Sequence, residues 1–304
     1  MSLSFGARVT NFLLRWKVKP KRGEPFDFAR ARAKLESLSP KGVPLPSDIT
    51  RTPVAADASK GTPAAEWLRP QVVERSVLYL HGGGYFSCSL ETHRPVCLQL
   101  ARRAKAQVYS VDYRLAPEHP FPAGLDDAVS AYAQVLDSGV APGNLVIAGD
   151  SAGGGLALAC LLAARARGLP MPAGAVLFSP WTDLTLSGET MHTMNDRDAM
   201  FQADQFPGVV AAYLGGRPAT DPLASPLFAD LSGLPPLMIW ASEHEVLSSD
   251  STRLHAAALA QSVQSELHMA AKLPHVWPIM VRLREAKLAL DEVARFIVRR
   301  TGAA

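Results

Sequence analysis

An α/β fold built on a mostly parallel sheet is the architecture this sequence predicts, and three observations predict it. From about residue 50 onward, short apolar runs alternate with longer segments of helical spacing, the texture of βαβ units. Several runs, such as VLYL at 77–80 and LVIA at 145–148, are apolar at nearly every position, as strands covered on both faces must be. One stretch, 187–217, reads as mainly helical with no strand, which marks an insertion into the alternation.

The elements follow in order. Residues 1–45 read as helical, with apolar Phe12, Leu13, Leu14 and Trp16, then Phe26, Phe28, Ala31, Leu35 and Leu38. Pro40, Pro44 and Pro46 end that region. Strands are expected at 76–80, 107–111, 145–148, 173–178, 236–241 and 265–271, and helices at 95–105, 125–136, 152–166 and 251–262. Segment 187–217 falls near a strand end, where open α/β sheets bind ligands. With residues 1–45 it is expected to form a helical cap. The α/β body then comes in two parts, 46–186 and 218–304.

Composition narrows the class. The 304 residues carry 31 basic and 28 acidic side chains, a net charge of +3 with no Lys/Arg stripe, so no nucleic-acid partner is expected. The one local excess, Arg15, Lys17, Lys19, Lys21 and Arg22, reads as a solvated surface segment rather than a membrane anchor. The longest apolar run, 156–164, is nine residues, against about 20 for a membrane span. Cys88, Cys97 and Cys160 are odd in number and irregular in spacing, which argues against a disulfide framework and fits a reducing compartment. No Cys-x-x-Cys pair suggests a zinc or redox site. The N-terminus lacks the apolar run of a signal peptide, so a cytoplasmic protein is the expectation.

The strongest local signal is Gly149-Asp150-Ser151-Ala152-Gly153. It is a G-x-S-x-G turn between an expected strand and an expected helix, the context of a nucleophile elbow. The serine there sits in a strained turn, and the flanking glycines let a strand and a helix approach closely. The helix N-terminus aims its free amides at any oxyanion formed beside Ser151. The second signal is His81-Gly82-Gly83-Gly84, directly after a strand. It opens no helix with a Lys-Ser/Thr pair and is not part of a G-x-G-x-x-G, so phosphate- and dinucleotide-binding readings fail. An HGGG run before a G-x-S-x-G elbow matches the oxyanion loop of lipases and esterases. Chance supplies about 0.002 such runs per chain.

A general base and an acid complete such a site, in the chain order Ser, acid, His. His275 follows the last expected strand and precedes the C-terminal helix, the position a base requires. His268 lies mid-strand, His255 in a helix and His192 in the insertion. The loop after the strand at 236–241 offers Glu243, Glu245 and Asp250. Asp250 reads as an N-cap for a helix from 251, which leaves the two glutamates.

HGGGYF at 81–86, DYRLAPEHPFPA at 112–123, GDSAGGG at 149–155 and PHVW at 274–277 together resemble the hormone-sensitive-lipase-like family of bacterial esterases, in the same order from about residue 75 to the C-terminus. The resemblance implies the α/β-hydrolase fold with a helical cap, and hydrolysis of carboxylic esters by an acyl-enzyme on Ser151. It implies oxyanion donors at Gly82, Gly83 and Ala152, and a mainly structural role for Tyr113 to Glu118. The family acid usually stands as Asp in Asp-Pro-Leu; the matching triplet here is Glu245-Val246-Leu247, which favours Glu245 over Glu243. Members often dimerise, so a homodimer is one expectation. No metal or organic cofactor is implied. Amide or lactone hydrolysis would use the same site, and a non-catalytic binding member would lack the base, which His275 supplies.

Bulky side chains in the insertion, Met194, Met200, Phe201, Phe206 and Tyr213, with Trp181 at a strand end, are expected to line the substrate pocket and to shorten it. Trp181, Phe201 and Tyr213 are the residues taken to contact the small ester substrate.

Overall fold

The computed structural model describes residues 3–38 and 44–302. Two helices come first, α1 (Phe5–Lys17) and α2 (Phe28–Leu38). Two strands follow, β1 (Ile49–Val54) and β2 (Ala64–Pro70), then β3 (Arg75–Leu80). From there helices and strands alternate: α3 (Leu90–Ala104), β4 (Ala106–Asp112), α4 (Ala123–Asp137), β5 (Leu145–Asp150), α5 (Ala152–Ala166) and β6 (Gly174–Phe178). The insertion holds α6 (Thr190–Thr193) and α7 (Phe206–Leu214) and no strand. The chain closes with β7 (Leu237–Ser242), α8 (Ser248–Ala260), β8 (Ser265–Ala270) and α9 (Arg284–Thr301). The expected stop at Pro40 lies outside the described residues.

One eight-stranded sheet runs in the order β1-β2-β4-β3-β5-β6-β7-β8. β2 pairs antiparallel with β1 and β4; every other pairing is parallel, so the expected mostly parallel sheet is what forms. The six expected strands are all present. The unbroken apolar runs follow from burial on both faces. Leu78, Leu80, Leu145, Ile147, Ala175 and Leu177 pack on one side, beneath α4, α5 and α8. Val77, Tyr79, Val146, Ala148, Val176 and Phe178 pack on the other, against α3 and α9. Among the described residues no helix is long and apolar enough to cross a membrane, and the three cysteines are unpaired.

Two strands escape the sequence pattern, for physical reasons. β1 (ITRTPV) is an edge strand with four exposed positions in a row. β2 carries Glu66 in its interior, fully buried because Arg51 and Arg94 both pair with it. A buried carboxylate is stable only with such partners, and β2 alone does not announce them. Boundaries also shift. α8 begins at Ser248, three residues before the expected start, so Asp250 lies in its first turn and is not an N-cap.

Residues 3–38 touch the insertion through hydrogen bonds to main-chain oxygens. Arg15 donates to the carbonyls of Asp196 and Arg197, and Lys19 to those of Asn195 and Asp198. Gln205 returns a bond to the carbonyl of Glu24. On α2, Arg32 donates to the carbonyls of Phe86 and Ala116 and pairs with Glu118.

Candidate active site

Ser151 sits between β5 and α5 at φ 52°, ψ −122°, a conformation L-residues rarely hold. The surroundings enforce it. Its N–H donates to Phe178, and its carbonyl accepts from Gly154, Gly155 and Trp181. The two outer glycines are required by space. A Cβ on Gly149 would lie 2.3 Å from the Gly153 oxygen, and one on Gly153 would lie 2.2 Å from the Leu80 oxygen. The start of α5 therefore packs directly on the end of β3, where His81-Gly82-Gly83-Gly84 begins.

His275 meets Ser151 from the far side. Its Nε2 is 2.8 Å from Ser151 Oγ and its Nδ1 is 2.7 Å from Glu245 Oε2, all three residues being buried. The loop carrying His275 is fixed at several points: Val276 donates to Ser179 Oγ, Ser242 Oγ donates to the Leu273 carbonyl, and Trp277 Nε1 donates to the Ala241 carbonyl. Glu245 Oε1 accepts the N–H of Ser242, which orients the carboxylate. Glu243, two residues earlier, is exposed. Asp250 is buried elsewhere, accepting the amides of Thr182 and Asp183. Burial pushes its carboxyl up to about 7, against the opposing pull of those amides. Of the other histidines weighed, His255 bonds Ser265, His268 stacks on Trp240 at 4.1 Å and His192 is exposed.

The glycine loop brings a correction. Gly82 donates its only N–H to Asp150 Oδ1 at 3.0 Å, so that amide is already engaged and is not free for an oxyanion. The amides of Gly83 and Gly84 donate no hydrogen bond among the described residues. Gly83 holds φ 114°, and a Cβ there would lie 2.2 Å from the Ser87 oxygen, so only glycine fits. Ala152 opens α5, where helix amides lack intrahelical acceptors.

Asp150 is the residue sequence reasoning passed over. Besides Gly82 it accepts Tyr79 OH at 2.8 Å and contacts His93 Nε2 at 3.2 Å. Burial pushes this carboxyl up, but the adjacent His93 and the bonds from His93 and Tyr79 prevail and hold it below its usual value. Its one sequence signal is an acid at the end of an otherwise apolar strand. His81 stacks on Tyr113 at 4.4 Å, and burial, then His93, lower its ring to about 4, so it stays neutral and braces the loop. Tyr113 OH donates to the His81 carbonyl, a bracing role for that segment as well.

The aromatic residues form one connected cluster. Phe201 lies edge-on against His275 at 4.9 Å, Phe206 meets both Phe201 and Trp181, and Tyr85 lies between Trp181 and Tyr213. Tyr213 stacks on Tyr85 at 3.8 Å and is the most remote of the three expected contact residues from His275 along this chain of rings. Met194 and Met200 are half-buried. Asp198, also unforeseen, is fully buried: Oδ1 accepts the amides of Met200 and Phe201, and Oδ2 accepts that of Val246, next to Glu245. Burial raises its carboxyl, opposed by those amides. Among the described residues no group of three or more His, Cys, Asp or Glu is placed to share a metal ion.

A strained serine, a histidine and a carboxylate in one hydrogen-bonded line, on a mixed sheet with this strand order, define a class. Residues 77–279 match the family described as alpha/beta hydrolase fold, and the chain belongs to it. An acetyl-hydrolase of Streptomyces hygroscopicus is 38% identical over 294 residues, covering 95% of this chain and 94% of its own. An esterase of Acinetobacter venetianus is 36% identical, over 72% of this chain and 73% of its own. Among solved structures, the esterase EstE5, in a crystal soaked with p-nitrophenyl butyrate, has TM-score 0.91 at 39% identity, over 99% of this chain and 100% of that one. An esterase of the bacterial hormone-sensitive lipase family matches with TM-score 0.91 at 35% identity, over the same shares. More narrowly, then, the chain is a member of the hormone-sensitive-lipase-like family of bacterial esterases.

Proposed function

We propose that this enzyme hydrolyses carboxylic esters of short to medium acyl chain through an acyl-enzyme on Ser151. The unbroken hydrogen-bonded line Glu245–His275–Ser151 is the observation that carries the reading. His275 Nε2 takes the Ser151 proton as Oγ attacks the ester carbonyl. Glu245 holds the ring in the correct tautomer and stabilises the imidazolium. The amides of Gly83 and Ala152 receive the oxyanion, with Gly84 as the next free donor. Losing one such donor costs about 100- to 1,000-fold in rate. His275 then protonates the departing alcohol and activates the water that releases the acid.

Residues 1–45 and 187–217 act together as a cap over this site. Phe201 covers His275, and Phe206 and Trp181 continue the wall that meets the acyl chain. Tyr213 supports that wall from behind Tyr85. An aromatic wall this close to the base limits the acyl group to fewer than about eight carbons, as a pocket of moderate size dictates. The unpaired cysteines fit the reducing cytoplasm.

The test is turnover of an acyl-chain series of p-nitrophenyl esters, with fluorophosphonate labelling followed by peptide mapping. The label is expected on Ser151, with rates highest for short chains. Labelling elsewhere, with Ser151→Ala still active, overturns the nucleophile. A rate that climbs steadily to long chains overturns the short pocket.

A further inference from the structure

Helix α1 wears its apolar side outward. Phe5, Val9, Phe12, Leu13 and Trp16 recur three or four residues apart and so share one helix face. They are 81%, 38%, 68%, 40% and 72% exposed. An amphipathic helix on a globular protein ordinarily turns such a face to the core. Here Ala7 is the buried residue, and the aromatic stripe lies in the open. A contiguous patch of this kind marks an interaction surface.

The charges around the stripe say what it meets. Residues 1–23 contain six basic side chains and no acidic one. Arg8 and Arg15, on one flank of the stripe, line a cavity of about 270 Å³ together with Arg197, Lys272 and His244. The rest of its lining is uncharged. Partial burial, then the neighbouring Arg197 and Lys272, push the His244 ring below its usual value, against the opposing pull of Glu243.

We infer that α1 and this basic cavity form a docking surface for an anionic lipid interface. The helix lies in the interface plane, its aromatic stripe among the acyl chains and its cationic flank and cavity on the headgroup phosphates. With 13 residues it is about 20 Å long, so it rests on the interface and does not span it. A second copy of this chain is a poor occupant, because it would set six further cations against the first six. The inference is independent of the ester-hydrolase reading.

Co-sedimentation of the full chain carrying Ser151→Ala with phosphatidylglycerol or phosphatidylcholine vesicles tests it, with no turnover involved. Binding to phosphatidylglycerol is expected to be about tenfold tighter or more, and to weaken with salt. Phe5→Ser, Phe12→Ser and Trp16→Ser together are expected to weaken it about tenfold or more. Arg8→Gln with Lys272→Gln is expected to remove most of the lipid preference. The triple variant should keep the parent's circular dichroism spectrum and Tm, since its side chains are exposed and leave the core untouched. Equal binding to both vesicles, or triple-variant binding at the parent level, overturns the inference. So does complete displacement by millimolar inorganic phosphate, which would mark a site for the free anion. A dimer in sedimentation velocity that the triple variant abolishes would instead assign the stripe to self-association.

Discussion

The sheet side and the helical side of the candidate site are held by different kinds of bond. On the sheet side, Ser151, His275, Glu245 and Asp150 are buried, and each is fixed by main-chain groups or by other buried side chains. Glycines at 149 and 153 leave no room for displacement. On the helical side, residues 3–38 reach the insertion through Arg15 and Lys19 and the loops at Phe86 and Ala116 through Arg32, long side chains that end on carbonyl oxygens. The first arrangement suits charge that develops at one fixed point, where preorganised dipoles act without reorganising. The second suits a surface that adjusts to the substrate, as caps and lids do. Substitutions on the sheet side should therefore strike kcat, and those on the helical side KM.

The largest effects test the sheet side. Ser151→Ala and His275→Ala should each lower kcat by about 10⁵- to 10⁶-fold, and the double variant should be hardly worse, because residues acting as one unit are not additive. Circular dichroism should be unchanged. Glu245→Gln should lower kcat by about 10⁴-fold, since an amide facing Nδ1 favours the wrong ring tautomer. Glu243→Gln, on an exposed side chain, should leave steady-state kinetics at the parent level; the reverse ranking would move the acid by two residues.

Asp150→Asn tests whether the glycine loop belongs to the rigid half. It weakens the hold on Gly82, Tyr79 and His93 and should lower kcat about 10- to 100-fold with KM little changed, alongside roughly 2–4 kcal/mol of stability in urea titration. Lys19→Met probes the other half. It removes the bonds to Asn195 and Asp198 and should raise KM about three- to tenfold at nearly constant kcat, for about 1 kcal/mol of stability. A fall in kcat matching that of Asp150→Asn would erase the distinction between the halves.

The smallest effect on activity comes from Asp250. Its folded value is raised to about 7 from 3.8, so the stability it contributes is full below about pH 4 and is lost as pH rises through 7. Asp250→Asn imitates the protonated carboxyl. The variant should keep full kcat and gain on the parent in Tm by roughly 2–6 °C between pH 5 and 8, readable by thermal scans at a series of pH values.

The sequence-based reading succeeds and fails along the same division. The buried parallel strands and the strand–turn–helix at Ser151 are legible because burial on both faces leaves a continuous apolar pattern. The spacing of His275 from the last strand is legible for the same reason. Gly82 was misjudged because a motif names glycines without saying where each amide points; that depends on Asp150, 68 residues away. Asp198 and Glu66 were missed because their partners lie far off in the chain, so nothing local distinguishes them from surface acids. α1 was legible as a helix. Which of its faces turns outward depends on what it packs against, and the basic segment alone gave no reason to expect an aromatic stripe beside it.

The bonds from Arg15, Lys19 and Arg32 to main-chain oxygens have a consequence for substitution. Every residue type supplies the same carbonyl, so an attachment made to carbonyls places no demand on the side chains at 195–198, 86 or 116. Exposed Asp196 is free to change while Arg15 keeps its grip, whereas Asp198 is tied separately by its own bonds to Met200, Phe201 and Val246. A substitution at such an exposed position should therefore leave intact the way Arg15 and Lys19 fasten the N-terminal helix to the insertion.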